Sequence, residues 1–313
     1  MDNKSYVIGV DIGGTNIRLA LLDQGYQILY KLKEPTGSDP LFILQKLLQT
    51  LYKEFPYGIS GIGAAVAGII DREKGIVVKS PNVPELNGVN LVSEISARYN
   101  TPVLIENDAN AAAYGEKIFG EGRNYKSFVM FTLGTGIGGG IVINNELLPV
   151  AAEIGHMTVN FNGNKCACGN TGCLEAHASA TAIIEYAISQ IKNGTESILR
   201  GHHNGNYFKI TAEDIYNAAL EGDSLSRNAL KEAGKNLGIG IANAINIFAP
   251  EAVILTGGLI GAWNIYIDNA IKEASRRALK ELFEKTKILQ SDLGDDAGII
   301  GSASLAFKRF NPF

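Results

Sequence analysis

Hydrophobic residues recur along this chain in short β-branched runs, and these runs alternate with stretches of helical periodicity. Such alternation is typical of α/β proteins, in which strands and helices follow one another along the chain. The pattern predicts a helix near residues 40–54 and strands at residues 6–12, 17–22, 59–67 and 103–105. The apolar region 237–263 is interrupted by polar residues and Pro250, so it predicts a buried helix followed by a buried strand rather than a membrane span.

Two glycine-rich turns join neighbouring predicted strands. The first, G-G-T-N at residues 13–16, is too short for a crossover helix and suits a tight hairpin that leaves Asp11 at a strand end. The pattern recurs 121 residues later, Gly134 standing for Gly13 and Thr132 for Asp11. Either both turns are plain hairpins that need glycine for positive φ, or they offer backbone N–H groups to a polyphosphate. The repeat favours the second interpretation.

Two familiar nucleotide motifs do not explain these glycines. Residues 134–139 match G-x-G-x-x-G, but a strand-like I-V-I follows where a dinucleotide site needs a helix. The sequence contains no G-x-x-x-x-G-K-[ST] phosphate loop. A further T-G-G, at residues 256–258, follows a predicted strand at 252–255 and suits a position beside an adenine or a ribose.

Length and charge narrow the possible classes. A chain of 313 residues exceeds what one hydrophobic core usually supports, which predicts two domains. There are 28 Lys and Arg against 32 Asp and Glu, without a basic stripe, so a nucleic-acid partner is not expected. The first residues show no signal-peptide pattern, and we expect a cytoplasmic protein with no membrane partner.

A polar run, E-N-D-A-N-A-A-A-Y-G-E at residues 106–116, follows a predicted strand and opens an alanine-rich helix. Asn107 or Asp108 is suited to cap that helix, since both side chains accept from free N–H groups. Alternatively, Asp108 is a general base at the carboxyl end of a strand, where α/β proteins bind ligands. The pattern alone favours capping.

All three cysteines lie in C-A-C-G-N-T-G-C, residues 166–173. In a reducing cytoplasm such clustering favours a metal over a disulfide. The three sulfurs and His156 make up the ligand set of a closed tetrahedral zinc site. The alternative, three unliganded thiols beside an unrelated histidine, leaves the polar surroundings unexplained. A metal here would hold Glu153, His156 and Glu175 together, as recognition of a polyhydroxylated molecule requires.

These motifs resemble, in chain order, those of the ROK family of repressors, open reading frames and sugar kinases. The matching pieces are D-I-G-G-T-N, S-P-N-V-P, E-N-D-A-N-A-A-A-Y-G-E, T-L-G-T-G-I-G-G-G, E-I-G-H, C-A-C-G-N-T-G-C-L-E and T-G-G. The resemblance implies an α/β, two-domain actin-like ATPase fold, ribonuclease H-like and hexokinase-type, with the active site in the interdomain cleft. It implies a small domain of residues 1–120 plus 296–313, a larger domain of 121–295 with the zinc site, and a homodimer.

The resemblance also implies residue roles. Asp108 would be the general base of a hexose kinase that uses ATP and Mg²⁺. The other implied site residues bind ATP, bind the sugar or hold a structural Zn²⁺. The implied ATP-binding residues, with Asp11 near Mg²⁺, are Asp11, Gly13, Gly14, Thr15, Asn16, Thr132, Gly134, Thr135, Gly136, Gly257 and Gly258. The implied sugar-binding residues are Gly68, Asn82, Asn107, Asp108, Glu153, His156 and Glu175. The implied Zn²⁺ ligands are His156, Cys166, Cys168 and Cys173.

Glucose is the expected hexose, because the N-D-A-N-A-A-A-x-G-E run is more similar to bacterial glucokinases than to N-acetylmannosamine kinases. N-acetylmannosamine, N-acetylglucosamine, fructose and allose stay open. The chain lacks the tryptophan that many glucose-specific relatives carry after S-P-N-x-P, and its L-L-P-V-A-A segment is shorter than in some relatives. The rivals are a sugar-responsive repressor, disfavoured by the early position of Asp11, and an actin-like polymer or chaperone ATPase, disfavoured by the cysteine motif.

Overall fold

The computed structural model describes residues 5–310, which form a mixed α/β structure. The strands are β1 Tyr6–Ile12, β2 Asn16–Leu22, β3 Ile28–Pro35, β4 Ile59–Val66, β5 Ile69–Asp71, β6 Ile76–Lys79, β7 Val103–Asn107, β8 Phe128–Leu133, β9 Ile137–Ile143, β10 Glu146–Leu147, β11 Ala252–Thr256 and β12 Lys287–Gln290. The α-helices are α1 Pro40–Glu54, α2 Leu91–Tyr99, α3 Asp108–Ile118, α4 Glu175–Ala178, α5 Ala180–Lys192, α6 Ala212–Leu220, α7 Ser224–Phe248, α8 Asp268–Arg277, α9 Lys280–Phe283 and α10 Ala297–Phe310.

The chain divides into two compact units. The first holds the described residues up to Lys126, then Gly140–Ala151, and those from Asp292 onward; the second holds Ser127–Gly139 and Ala152–Ser291. The sequence-based domain bounds, 1–120 plus 296–313 and 121–295, stay a prediction. Residues 1–4 and 311–313 of those bounds lie outside the described residues.

The sheet of the first unit has the strand order β3-β2-β1-β4-β7. Strand β1 is antiparallel to β2 and parallel to β4, which is in turn parallel to β7. The register pairs Asp11 with Ala65 and Val66 with Asn107, so the carboxyl ends of the three parallel strands lie along one edge of this sheet. That edge therefore carries several of the predicted site residues.

Helices cover the sheet of the first unit through two apolar clusters. One joins the sheet to α1 and α2, and the other joins it to α10 through residues such as Ile299 and Ala303. The backbone of α10 approaches so closely that a Cβ on Gly63 would overlap the Ser302 carbonyl. Glycine at the middle of β4 is thus what allows α10 to pack against this strand.

The second sheet has the order β10-β9-β8-β11-β12, in which β11 is parallel to both β8 and β12. The long helix α7 packs against α8 in the second unit, and glycines 234 and 238 of α7 face the backbone of residues 266 and 270. Tyr266 is fully buried there, and its hydroxyl donates to the Ala178 carbonyl at 2.6 Å. Within residues 5–310, no helix has both the length and the apolar character that crossing a membrane requires.

Candidate active site

The first glycine turn is the tight hairpin that the sequence predicts between β1 and β2. The Gly13 N–H donates to the Asn16 carbonyl at 3.0 Å and closes the turn. Gly14 and Thr15 lie exposed at its tip. A Cβ on Gly14 would lie 2.9 Å from the Asn82 carbonyl oxygen, so the S-P-N loop lies directly against this turn. The structure therefore brings a predicted sugar-binding residue to the predicted first phosphate loop.

Asp11 stands at the end of β1, beside this turn, and is 8% exposed. It faces Arg18 across the β1–β2 pair, and the Arg18 Nη2 lies 3.0 Å from its Oδ2. Carboxylate oxygens are ligands that Mg²⁺ prefers in proteins, usually together with waters and substrate phosphates. The position and chemistry of Asp11 thus fit a magnesium-proximal role, with Arg18 holding the carboxylate in place.

The second glycine turn, which lies in the second unit, joins β8 to β9. The Gly134 N–H donates to the Gly136 carbonyl at 3.0 Å, and Thr135 is exposed at the tip. The Ile137 N–H donates to Glu175 Oε2 at 2.8 Å. A Cβ on Gly136 would overlap the same carboxylate, so Glu175 lies immediately against the turn. A second predicted sugar-binding residue is thereby placed at a predicted phosphate loop.

The T-G-G segment ends β11 beside this second turn. Gly257 adopts φ of +97°, and a Cβ there would overlap the Leu133 carbonyl. Gly258 is exposed and has no atom within 4 Å of the position that a Cβ would take. Thr132 Oγ1 accepts from the Gly138 N–H at 3.0 Å, which fixes the strand that carries the turn. Both turns of the second unit therefore leave exposed backbone for a ligand.

Asn107 and Asp108 lie where β7 ends and α3 begins. Asn107 is the N-cap, since its Oδ1 accepts from the Asn110 N–H at 3.1 Å. Its Nδ2 donates to the Gly68 carbonyl at 3.0 Å, and Gly68 itself has φ of +120°. Capping, which the sequence left open between the two residues, is therefore performed by Asn107, while Asp108 occupies the first helical position.

Sequence reasoning missed Glu106, which lies immediately before this pair and is 5% exposed. Both of its oxygens accept from the Arg72 guanidinium, each at 2.6 Å. The sequence did offer one signal, an acidic residue directly after the apolar V-L-I of a predicted buried strand. A carboxylate buried there needs a partner, because acidic side chains are rarely buried unpaired. The identity of that partner was beyond local pattern, since Arg72 is 34 positions away.

The four predicted zinc ligands form one cluster in the second unit. Cys168 Sγ lies 3.7 Å from Cys173 Sγ, and Cys166 Sγ lies 3.7 Å from His156 Nδ1. All four ligand atoms are within 4.8 Å of one another. Sulfur atoms bound about 2.3 Å from a tetrahedral zinc lie about 3.8 Å apart. The two 3.7 Å distances are close to this spacing, so the four residues fit a tetrahedral zinc ion.

Local hydrogen bonds shape the cysteine loop, and burial and hydrogen bonding shift the pKa values of its thiols. The Cys166 N–H donates to the Asn170 carbonyl at 2.8 Å, which folds the C-A-C-G-N segment back on itself. Burial raises the pKa of Cys166 to about 12 and also raises the pKa of Cys173. A hydrogen bond from the Asn170 backbone lowers the pKa of Cys168. Metal binding must therefore displace protons from the two buried thiols.

His156 connects this cluster to Glu153. Its Nδ1 faces Cys166, whereas its Nε2 lies 3.9 Å from Glu153 Oε2. A metal-binding histidine commonly pairs its second nitrogen with a carboxylate, which fixes the orientation of the ring. Glu175 follows Cys173 by two positions and lies at the second glycine turn. The cluster therefore lies near two predicted sugar-binding carboxylates, with Glu153 beside His156 and Glu175 two positions after Cys173.

Comparison with known proteins places this arrangement in a family, because the model of the ROK family matches residues 7–309. The chain belongs to the ROK family. It is 36% identical to a glucokinase of Thermotoga maritima over 98% of each chain. It is also 35% identical to the xylose repressor of Bacillus subtilis, over 97% of this chain and 78% of the repressor.

A solved ROK family glucokinase from Streptomyces griseus, in complex with glucose and AMPPNP, superimposes with a TM-score of 0.83. It is 32% identical in sequence, and the match covers 97% of this chain and 100% of that one. The α/β, actin-like ATPase fold and the ROK resemblance inferred from the sequence motifs are thus confirmed.

Proposed function

We propose that this ROK family protein is an ATP-dependent hexose kinase that converts glucose to glucose 6-phosphate. The near full-length similarity to a glucokinase supports the reaction class. The similarity to a glucokinase in complex with glucose and AMPPNP, an ATP analogue, supports both substrates.

The observation that carries the proposal is the position of Asp108. It follows β7 at the carboxyl end of a parallel strand, and the neighbouring Asn107 performs the capping that would otherwise explain an acidic residue there. In this proposal Asp108 accepts the proton of the sugar hydroxyl as the oxygen attacks the γ-phosphate of ATP. General-base assistance of this kind contributes about 10²- to 10⁴-fold to a rate.

Phosphoryl transfer depends mainly on positioning and on charge neutralisation. The exposed backbone of the two glycine turns, at Gly14 and Thr15 and at Thr135, with the half-buried Gly136, suits donation to phosphate oxygens. Asp11 would hold Mg²⁺, which when bound neutralises charge on the β- and γ-phosphates. The T-G-G segment at residues 256–258 would accept the adenosine.

Recognition of the sugar is assigned to Gly68, Asn82, Asn107, Glu153, His156 and Glu175. Oε2 of Glu175 already accepts from the Ile137 N–H, so we propose Oε1 as the atom that accepts from a sugar hydroxyl. His156, Cys166, Cys168 and Cys173 would hold a structural zinc whose effect is to fix Glu153 and His156. The homodimer and the cytoplasmic location stay predictions.

A sugar-responsive repressor is the second candidate, because the xylose repressor match is as close in identity as the glucokinase match. An ADP-release screen with ATP and Mg²⁺ separates the two. The panel holds glucose, fructose, allose, xylose, N-acetylmannosamine and N-acetylglucosamine. We expect the highest kcat/KM with glucose, whereas no sugar-stimulated ADP release together with xylose-sensitive binding to a specific DNA would support the repressor.

A further inference from the structure

A partly buried polar network lies next to the candidate base, at the junction of β7 and α3. Glu106 is at its centre and accepts four N–H groups: two from Arg72 at 2.6 Å each, the Asn107 backbone N–H at 2.8 Å, and Asn110 Nδ2 at 3.1 Å. Asn107 and Asn110 stand at positions −1 and +2 relative to Asp108. Two of the residues that donate to the Glu106 carboxylate therefore flank Asp108 in the sequence.

The same network reaches a second segment of the first unit. Asn110 is completely buried, and its Nδ2 also donates to the Val150 carbonyl at 2.8 Å. Arg72 Nη2 donates to that carbonyl at 3.4 Å. Val150 lies just after β10 and three positions before Glu153 in the sequence. One hydrogen-bonded network thus joins the start of α3 to the segment that leads to a predicted sugar-binding residue.

Stability alone does not account for this arrangement. A buried ion pair adds little net stability over a well-packed apolar pair, because desolvation offsets the Coulomb attraction. What a hydrogen-bonded network does provide is a specific geometry for the groups it contacts, and here Glu106 and the Asn110 Nδ2 are bonded while Asn110 Oδ1 is buried without a partner among the described residues. The fork of Arg72 on Glu106 is directional in the same sense, since two parallel hydrogen bonds fix the plane of the carboxylate.

We infer that Arg72, Glu106 and Asn110 are positioning residues for phosphoryl transfer, which hold the Asp108 region and the Val150 segment in one fixed arrangement. The inference rests on the proposed function. It assigns these residues no contact with either substrate. Their removal should displace the base, and a misplacement of about 1 Å at a reacting group can cost roughly 10²-fold in rate.

The test compares Arg72→Met and Arg72→Lys with a matched control, Lys74→Met. Lys74 lies two positions away and pairs with Asp71 at 3.3 Å, but its side chain is 74% exposed. We expect Arg72→Met to lower kcat roughly 10- to 100-fold at unchanged ATP KM. Arg72→Lys, which keeps the charge but not the fork, should lie between this variant and the wild type. Lys74→Met should match the wild type.

Amide hydrogen exchange on the same proteins gives a readout that does not depend on turnover. We expect faster exchange at residues 107–112 and 148–151 in Arg72→Met and no change in Lys74→Met. Unchanged exchange in these segments, or a wild-type kcat in Arg72→Met alongside lowered thermal stability, would overturn the inference. A wild-type protein that phosphorylates no sugar would instead contradict the proposed function, and the exchange data would still decide whether the network fixes the two segments.

Discussion

Replacing Cys168 with serine tests whether the cysteine cluster is part of the sugar site. Cys168 is exposed, whereas Cys173 is fully buried, so the substitution leaves no internal cavity and acts through the metal. It removes one of the two sulfurs that lie 3.7 Å apart. Three ligands and a serine hydroxyl are a poor substitute for the closed tetrahedral site that zinc prefers.

The expected effect follows from the contacts of His156. A bound metal would fix the Nδ1 of His156, and its loss would free the imidazole ring, whose Nε2 lies 3.9 Å from Glu153 Oε2. Loss of a partner that orients a metal ligand typically costs 10- to 100-fold in metal affinity or activity. We therefore expect the glucose KM to rise by about that factor, because Glu153, the carboxylate proposed to bind the sugar, would be displaced. The ATP KM should change much less.

Metal analysis and steady-state kinetics on the freshly purified variant measure both effects. The exposed neighbour Lys165 supplies a control, and Lys165→Ala should keep about one zinc per chain and both KM values. If Cys168→Ser lost its zinc yet kept the wild-type glucose KM, the metal would have no part in sugar binding. A wild-type protein without zinc would refute the reasoning at its first step.

Two further predictions concern the glycine turn and the thiols. Gly257→Ala should lower the free energy of unfolding by about 1–3 kcal/mol and raise the ATP KM, because φ of +97° and the Leu133 carbonyl leave no room for a Cβ. Thermal unfolding and kinetics measure these effects, and the control is Gly261→Ala, whose Cβ would have no atom within 4 Å. Zinc affinity should rise with pH by up to about 100-fold per pH unit near neutrality, because Cys166 and Cys173, whose pKa values burial raises, must each release a proton on binding. A competition titration with a chelator at several pH values measures this dependence. An affinity that did not change with pH would contradict the prediction.

The pattern of apolar residues predicted the buried strands well, but it did not predict all the strands at the edges of the sheets. Residues 6–12 and 40–54 are predicted with the bounds that β1 and α1 have in the structure. Strand β3 was not predicted, because it lies at the edge of its sheet and its sequence, I-L-Y-K-L-K-E-P, alternates exposed and half-buried side chains. Helix α7 begins at Ser224, well before the apolar region at 237–263 that predicted its second half, because its first half alternates buried and exposed polar side chains.

The candidate site contains some contacts between residues that are close in the sequence and others between residues that are far apart. The zinc cluster lies within residues 156–173 and the N-cap contact joins residues three positions apart, so local sequence spacing was enough to predict both. The pairing of Arg72 with Glu106, and the contact of Glu175 with the second glycine turn, join residues 34 and 38 positions apart. Such contacts depend on how the sheet brings strand ends together, which a single sequence does not show.

Transfer of the γ-phosphate of ATP to glucose, followed in the wild-type protein and in Asp108→Asn, tests the central claim most directly. Mass spectrometry of the products and calorimetry with glucose measure turnover and binding separately. We predict one glucose 6-phosphate per ADP in the wild type, and in Asp108→Asn a rate lowered by about 10²- to 10⁴-fold with glucose binding retained. Near-normal turnover in Asp108→Asn, or a wild type that binds glucose and forms no sugar phosphate, would contradict it.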